Sequence, residues 1–140
     1  MKPCFRGSAA LFAALTGLPA LAQDFTTAAE VKPILQATRP QWIAIREFDG
    51  KDLIYFTNLL AWRCGVERIA WGINGGAPQT VMPMEPCHEG EAAPNALKME
   101  TVLPYAEAPL GAITSVSVAV TFDDGSVEVA DYDRSAVLMP

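Results

Sequence analysis

The sequence predicts an all-β sandwich of about seven short antiparallel strands, preceded by one short helix and closed by one disulfide bond. From Trp42 onward, apolar residues recur with a period of two, which is typical of strands buried on one face. Asp-Gly and Asn-Gly pairs separate these apolar runs at short intervals. Short strands at this spacing, with turn signals between them, are typical of a β-sandwich.

The first 22 residues have the layout of a secretory signal peptide. Lys2 and Arg6 form a positive start, residues 8–18 are small and apolar, and an A-x-A cleavage site ends at Ala22. An apolar run this short favours a cleaved signal over an uncleaved membrane anchor. We therefore expect a protein of the bacterial periplasm or a secreted protein, starting at Gln23, with no transmembrane segment after cleavage.

Loss of that segment changes the formal net charge from −6 to −8, because Lys2 and Arg6 leave with it. Nucleic-acid-binding proteins carry basic patches, so this acidity argues against a nucleic-acid partner. It also disfavours an anionic membrane surface. A protein or envelope partner remains, and the composition does not identify it. We expect no cofactor.

Cysteine usage predicts one disulfide bond. Signal cleavage removes Cys4 and leaves Cys64 and Cys87. Two remaining cysteines in an oxidising compartment usually pair. The bond would close a loop of roughly 24 residues, worth about 3 kcal/mol in the chain-entropy model.

Residues 23–41 are predicted to form a helical arm, with the only helix of the chain, packed on a β-sandwich domain of residues 42–140. Thr26 or Thr27 can cap this helix. Apolar residues three and four apart then form the face that packs on the domain. Pro33 should shorten the helix unless it lies in the first turn.

The segment WIAIREFDGKDLIYFT predicts the first hairpin, because its Asp-Gly pair favours a type I′ turn. A two-residue loop places Ile45 opposite Ile54 on an apolar side. The same register places Arg46 beside Leu53 on a mixed side. This contrast is typical of a sheet that packs against a core on one side only.

The segment from Val66 to Met84 predicts a strand, an Asn-Gly-Gly turn and a short return strand. Pro78, Pro83 and Pro86 lack the N–H that a central strand needs. The return strand is therefore expected at a sheet edge.

The last hairpin is predicted around a two-residue Asp-Gly turn in the string VTFDDGSV. This register places Val120 opposite Val129 and Phe122 opposite Val127. All four side chains would then face the core.

The strings RIAWGINGG and LPYAEAPLGAITSVSVAVTFDDGSV have the strand–turn rhythm of immunoglobulin-like sandwich modules in exported bacterial proteins. Over about residues 42–138 the chain is similar to small secreted bacterial proteins of unknown function. The resemblance implies an immunoglobulin-like sandwich. The two cysteines are too close in sequence for the inter-sheet bridge of antibody domains. No functional residues follow from the resemblance, because such modules host many functions.

Aromatic and arginine side chains predict a partner-binding surface. If the apolar side of the first hairpin faces the core, Trp42, Arg46 and Tyr55 lie on the opposite side. Trp62 and Arg63 follow in the next loop. Tryptophan, tyrosine and arginine are enriched at binding hot spots. A second sheet or the N-terminal helix could instead cover this surface.

Met82, Met84 and His88 suggest an alternative, a periplasmic copper-binding protein. Thioether and imidazole groups suit soft metals such as copper(I). Core packing explains the same methionines, and dedicated sites usually show denser runs of such ligands. We therefore keep copper binding as the second hypothesis, with no metal site as the first.

The sequence contains no catalytic pattern. A serine or cysteine triad would have to use His88, the sole histidine, and no serine lies in a G-x-S-x-G motif. Acidic residues near the last hairpin are explained by the turn and an exposed strand. We therefore predict a non-enzymatic binding or accessory module, with no catalytic residues. A small hydrolase is the third hypothesis.

Overall fold

The computed structural model describes residues 3–4, 13–14, 16–18 and 23–140, and it confirms the predicted sandwich of seven strands in two antiparallel sheets. The first sheet has the order β1-β2-β5, with β1 at Ala44–Phe48, β2 at Lys51–Tyr55 and β5 at Tyr105–Pro109. The second has the order β4-β3-β6-β7, with β3 at Val66–Ile73, β4 at Thr80–Val81, β6 at Ser115–Phe122 and β7 at Val127–Asp133.

In the described residues, three α-helices accompany the strands: α1 at Ala28–Ala37, α2 at Thr57–Leu60 and α3 at Arg134–Val137. The predicted helix is α1, whereas α2 and α3 were not predicted. Pro33 lies inside α1, and the helix continues past it although proline donates no hydrogen bond there. Within the described part of the chain, every helix falls short of the length and apolarity that a membrane span requires.

The core lies between the sheets. Its largest fully buried side chains come from α1, from both sheets and from the segments that flank the strands. They include Leu35, Trp42, Ile45, Ile54, Phe56, Leu59, Ile69 and Phe122. Phe56, directly after β2, packs near Trp71 of β3, and their ring centroids are 6.0 Å apart. Burial of these side chains is the main stabilising contribution to the fold.

The start of helix α1 is held by hydrogen bonds to a residue of the helix itself and to a residue of the distant β6–β7 loop. The Glu30 carboxylate accepts from the backbone N–H groups of Thr26 and Thr27, each at 3.1 Å. The Asp123 carboxylate, from the loop between β6 and β7, accepts from Ala28 N–H at 2.9 Å. The first turn of α1 is thus capped partly by the last hairpin.

Further contacts hold α1 on the last hairpin. Lys32 forms an ion pair with Asp124, and Gln36 Nε2 donates to Glu128 Oε1 at 2.6 Å. The Arg39 side chain, just beyond the helix, donates to the carbonyl of Val129. The N-terminal arm therefore covers the free edge of β7.

The first hairpin has its predicted register. Ile45 pairs with Ile54 and Arg46 with Leu53. The Asp-Gly turn has both residues at positive φ, as a type I′ turn requires. The prediction held because a two-residue turn permits a single register.

The last hairpin differs from its prediction by one residue. Val120 pairs with Glu128 rather than with Val129, and Phe122 loses its predicted partner Val127. A shift of one residue turns each β7 side chain to the opposite face of the sheet. Val127 and Val129 are therefore 57% and 46% exposed.

The cause is a three-residue loop. Phe122 N–H donates to the Ser126 carbonyl at 2.9 Å, which leaves three residues between them. The last of these, Gly125, takes a φ of 82°. The Asp124 carboxylate accepts from Ser126 N–H at 2.9 Å and closes the loop. A type I turn followed by a left-handed glycine is the usual form of such a loop.

A buried ion pair joins the first sheet to the end of β7. Asp52 is 0% exposed and accepts from Arg134 Nη1 at 2.6 Å and Nη2 at 2.9 Å. Ile113 N–H donates to the same carboxylate at 3.3 Å. The hydrogen bonds from Arg134 lower the pKa of Asp52 to about 2, against the opposing effect of burial.

Candidate binding surface

The outer face of the β1-β2-β5 sheet points away from the core. Ile45 and Ile54 are 0% exposed on the inner side, so the alternate residues form the outer face. Its three cross-strand rows are Ala44–Tyr55–Tyr105, Arg46–Leu53–Glu107 and Phe48–Lys51–Pro109. We call these nine residues the outer face.

Aromatic and charged groups surround a central leucine on the outer face. Leu53 is 5% exposed, because its neighbours cover it. The rings of Tyr55 and Tyr105 have centroids 5.3 Å apart. Lys51 Nζ lies 2.6 Å from the Glu107 carboxylate. The result is a surface with rigid aromatic groups and a polar rim.

Arg46 has no partner of opposite charge among the residues that the structure describes. Its guanidinium lies 4.6 Å from the centroid of the Phe48 ring. Among the described lysines and arginines, only Arg46 and Arg68 take part in no hydrogen bond or ion pair. Arg68 lies on the second sheet, opposite Thr121. Arg46 is therefore the free cation of the outer face.

A cleft of about 330 Å³ opens at one end of the outer face. Its described lining is mostly apolar or uncharged: Gln41, Trp42, Ile43, Ala44, Arg46, Tyr55, Thr57, Asn58 and Met139. Arg46 is the single charged residue in this lining. Asn58 Nδ2 donates to the Gln41 carbonyl at 2.5 Å, and Met139 N–H donates to Ile45 at 2.8 Å. These bonds fix the walls, and the volume suits a small ligand or one or two side chains of a partner.

Arg46 and Tyr55 lie together on this surface, as the sequence predicted. The expected exposure of Trp42 is wrong. Trp42 is 0% exposed, and its indole N–H donates to the Leu35 carbonyl at 2.7 Å. Because Trp42 precedes β1, strand alternation does not control its side chain, and α1 recruits it into the core.

Trp62 and Arg63 lie away from the outer face. The ring of Trp62 packs edge-on against Phe25, with centroids 5.2 Å apart. Arg63 is 3% exposed, so the expectation that its side chain is presented to a partner is wrong. Its guanidinium donates hydrogen bonds to groups inside the protein.

Arg63 organises the long connection between β4 and β5. Its guanidinium donates to backbone carbonyls and to one carboxylate: Leu60, Glu85, Pro86, Asn95 and Ala96. Asn95 in turn accepts from Cys64 N–H at 2.9 Å and donates to the Phe25 carbonyl at 2.8 Å. We call this set the Arg63 network.

Glu85 is the acidic member of the network and is 7% exposed. It lies 3.2 Å from Arg63 Nη2 and accepts from the N–H groups of Lys98 and Met99 at 2.8 and 3.0 Å. Burial raises the pKa of Glu85, but these hydrogen bonds outweigh it, and the net pKa lies below the usual value. Glu85 therefore stays ionised opposite Arg63.

The predicted disulfide is present beside the network. Cys64 and Cys87 are bonded, with their Cα atoms 5.0 Å apart. The bond joins the residue after Arg63 to the connection that Arg63 binds. Covalent and hydrogen-bonded restraints thus act on the same segment.

The three residues of the copper hypothesis have structural contacts. Met82 is 3% exposed within the core, and Met84 packs against the core. His88 Nε2 lies 3.2 Å from the Glu85 carboxylate. Across the described residues, no group of three or more His, Cys, Asp or Glu side chains could hold a metal ion. These contacts do not favour copper binding.

Phe48 and Tyr105 belong to the outer face but were not predicted. Phe48 could have been found, because it follows Arg46 at the spacing of two that places residues on one face. Tyr105 lies in the string LPYAEAP, for which no strand register was predicted, so its face was not assigned. Most of the predicted signal peptide, residues 1–22, lies outside the described residues.

Comparisons with protein-family models, with curated proteins and with solved structures gave no match for this chain. The functional argument therefore depends on the geometry described above.

Proposed function

We propose that this protein is an exported, non-enzymatic binding or accessory module that acts on a protein or envelope partner through the outer face and its cleft. The observation that supports this most directly is Arg46. It is a free cation beside a mostly apolar cleft, on a surface with Phe48, Tyr55 and Tyr105. Arginine and tyrosine are enriched at binding hot spots.

The described acids near the last hairpin have structural contacts, which supports a role other than catalysis. Asp123 caps α1, and Asp124 binds Lys32 and Ser126. Asp52 and Glu85 are held by Arg134 and by the Arg63 network, respectively.

Loss of the free cation at Arg46 should strongly weaken partner capture. We expect Arg46→Glu, immobilised on beads, to retain about 30-fold less of a partner from envelope fractions of the producing organism than the native protein, as for a hot spot worth about 2 kcal/mol. Quantitative mass spectrometry of the bound proteins measures the ratio. Arg68→Glu is the matched control, because Arg68 is also unpaired but lies on the second sheet. If the native protein, Arg46→Glu and Arg68→Glu capture equal amounts of the partner, the outer face is not the binding surface.

The proposed export has its own test. The mature protein recovered from the periplasm or medium should begin at Gln23 and weigh two hydrogens less than the fully reduced chain. Intact mass spectrometry without reductant reads both quantities. A chain that keeps residues 1–22 would contradict cleavage, and a mass with two free thiols would contradict an oxidising compartment.

A further inference from the structure

The two sheets have four edge strands, and three of these edges are covered or short. At β1, Met139 N–H donates to the Ile45 carbonyl at 2.8 Å. At β7, the Arg39 side chain binds the Val129 carbonyl. Strand β4 spans only Thr80–Val81. Strand β5 differs, because it pairs with β2 on one side and no strand of the described chain pairs with its other side.

The hydrogen bonds between β2 and β5 determine which peptide groups point outward. Phe56 N–H donates to the Pro104 carbonyl at 2.8 Å, next to the pair Tyr55–Tyr105. Hydrogen-bonded positions alternate in an antiparallel pair. Ala106 and Ala108 therefore pair with β2, while the N–H and C=O groups of Tyr105 and Glu107 point away from the sheet.

An apolar groove of about 430 Å³ runs beside this edge, between β5 and β4. Its apolar lining includes Trp71, Val81, Met82, Val102, Leu103 and Ala106. Val81 and Leu103 are 51% and 55% exposed, and Leu110 at the far end of β5 is 54% exposed. Unpaired backbone groups along an apolar groove are the arrangement that accepts an added strand.

We propose that the β5 edge binds an extended, basic segment of a partner protein, which pairs with Tyr105 and Glu107 and places alternate apolar side chains in the groove. The prolines at positions 104 and 109 limit the paired stretch to about four residues. The predicted mature chain carries a charge of −8, which favours a basic segment and opposes pairing with a second copy. The inference concerns backbone groups and does not require the cleft to bind a ligand.

Amide hydrogen exchange tests this pairing with a defined probe. The probe is a nine-residue peptide, blocked at both ends, that alternates valine with threonine and has lysine at each end. In the free protein, the amides of Tyr105 and Glu107 should exchange rapidly and those of Ala106 and Ala108 slowly. Saturating peptide should slow exchange at Tyr105 and Glu107 by about tenfold or more. Unchanged exchange at these two amides would overturn the proposal.

Proline substitution gives an independent test. Glu107→Pro removes one outward donor and leaves the bonds to β2, and Pro109 shows that the strand accepts proline at an outward position. Glu107→Ala is the control, because it removes the same carboxylate but keeps the N–H. We expect Glu107→Pro to bind the peptide about tenfold more weakly than Glu107→Ala. Equal affinities would exclude strand addition, and protection that rises with protein concentration alone would assign the edge to a second copy instead.

Discussion

Replacing Arg63 with methionine is expected to destabilise the protein by about 3 to 5 kcal/mol, the usual cost of removing one partner of a buried ion pair. Methionine has a similar length and no charge, so it fills the space but leaves Glu85 without its cationic partner and several carbonyl groups without donors. Urea unfolding followed by tryptophan fluorescence measures the loss as a lower midpoint with an unchanged slope.

Two further variants separate charge from geometry at this position. Arg63→Lys keeps the charge but offers three donors on a single nitrogen, which cannot reach all the acceptors spread around the edge of the guanidinium plane. It should lose part of the stability. The double variant Arg63→Met with Glu85→Met removes both charges and should be more stable than Arg63→Met alone. If Arg63→Met unfolds at the native midpoint, the Arg63 network does not stabilise the fold.

The second large expected effect is a fall in the free energy of unfolding at low pH, which arises from Asp52. Its pKa is about 2 in the folded protein, against 3.8 for the free group, because Arg134 binds the ionised form. The folded state therefore binds fewer protons than the unfolded state between these values. The resulting stabilisation of about 2 kcal/mol is complete above pH 4 and is lost as the pH falls toward 2.

Asp52→Asn should remove this part of the acid dependence and lower stability at neutral pH by about 3 kcal/mol, since Arg134 then loses its buried carboxylate partner and keeps only the exposed Glu47. Unfolding free energies measured from pH 2 to pH 7 for both proteins give the two curves. Ser135→Ala, one residue beyond Arg134 and exposed, is a control that should follow the native curve. Parallel curves for native protein and Asp52→Asn would show that Asp52 is not the titrating group.

Turn chemistry decided how well the sequence predicted the strands. Asp49-Gly50 forms a two-residue turn, so the first hairpin followed from local pattern alone. The last hairpin contains the longer string Asp-Asp-Gly, and both a two-residue and a three-residue loop fit it. The contact of Asp124 with Ser126 and Lys32 favours the longer loop, and Lys32 is remote in sequence.

The candidate surface was predicted in part for a similar reason. Arg46 and Tyr55 lie on regular strands, where alternation fixes the direction of a side chain. Trp42 and Arg63 lie just outside strands, where tertiary contacts fix it. Composition alone could not tell an arginine or tryptophan on the surface from one that is buried and supports the fold.

The capping of α1 by the last hairpin determines when the protein can finish folding. The acceptor of Ala28 N–H is a carboxylate 95 residues further along the chain, and the partners of Lys32 and Gln36 lie 92 residues away. A ten-residue helix is marginal in water without such contacts. A chain that leaves the ribosome or a translocation pore from its N-terminus thus stays open until its last hairpin has emerged. We expect its slow step to be the closure of the loop of 95 residues that joins α1 to the last hairpin.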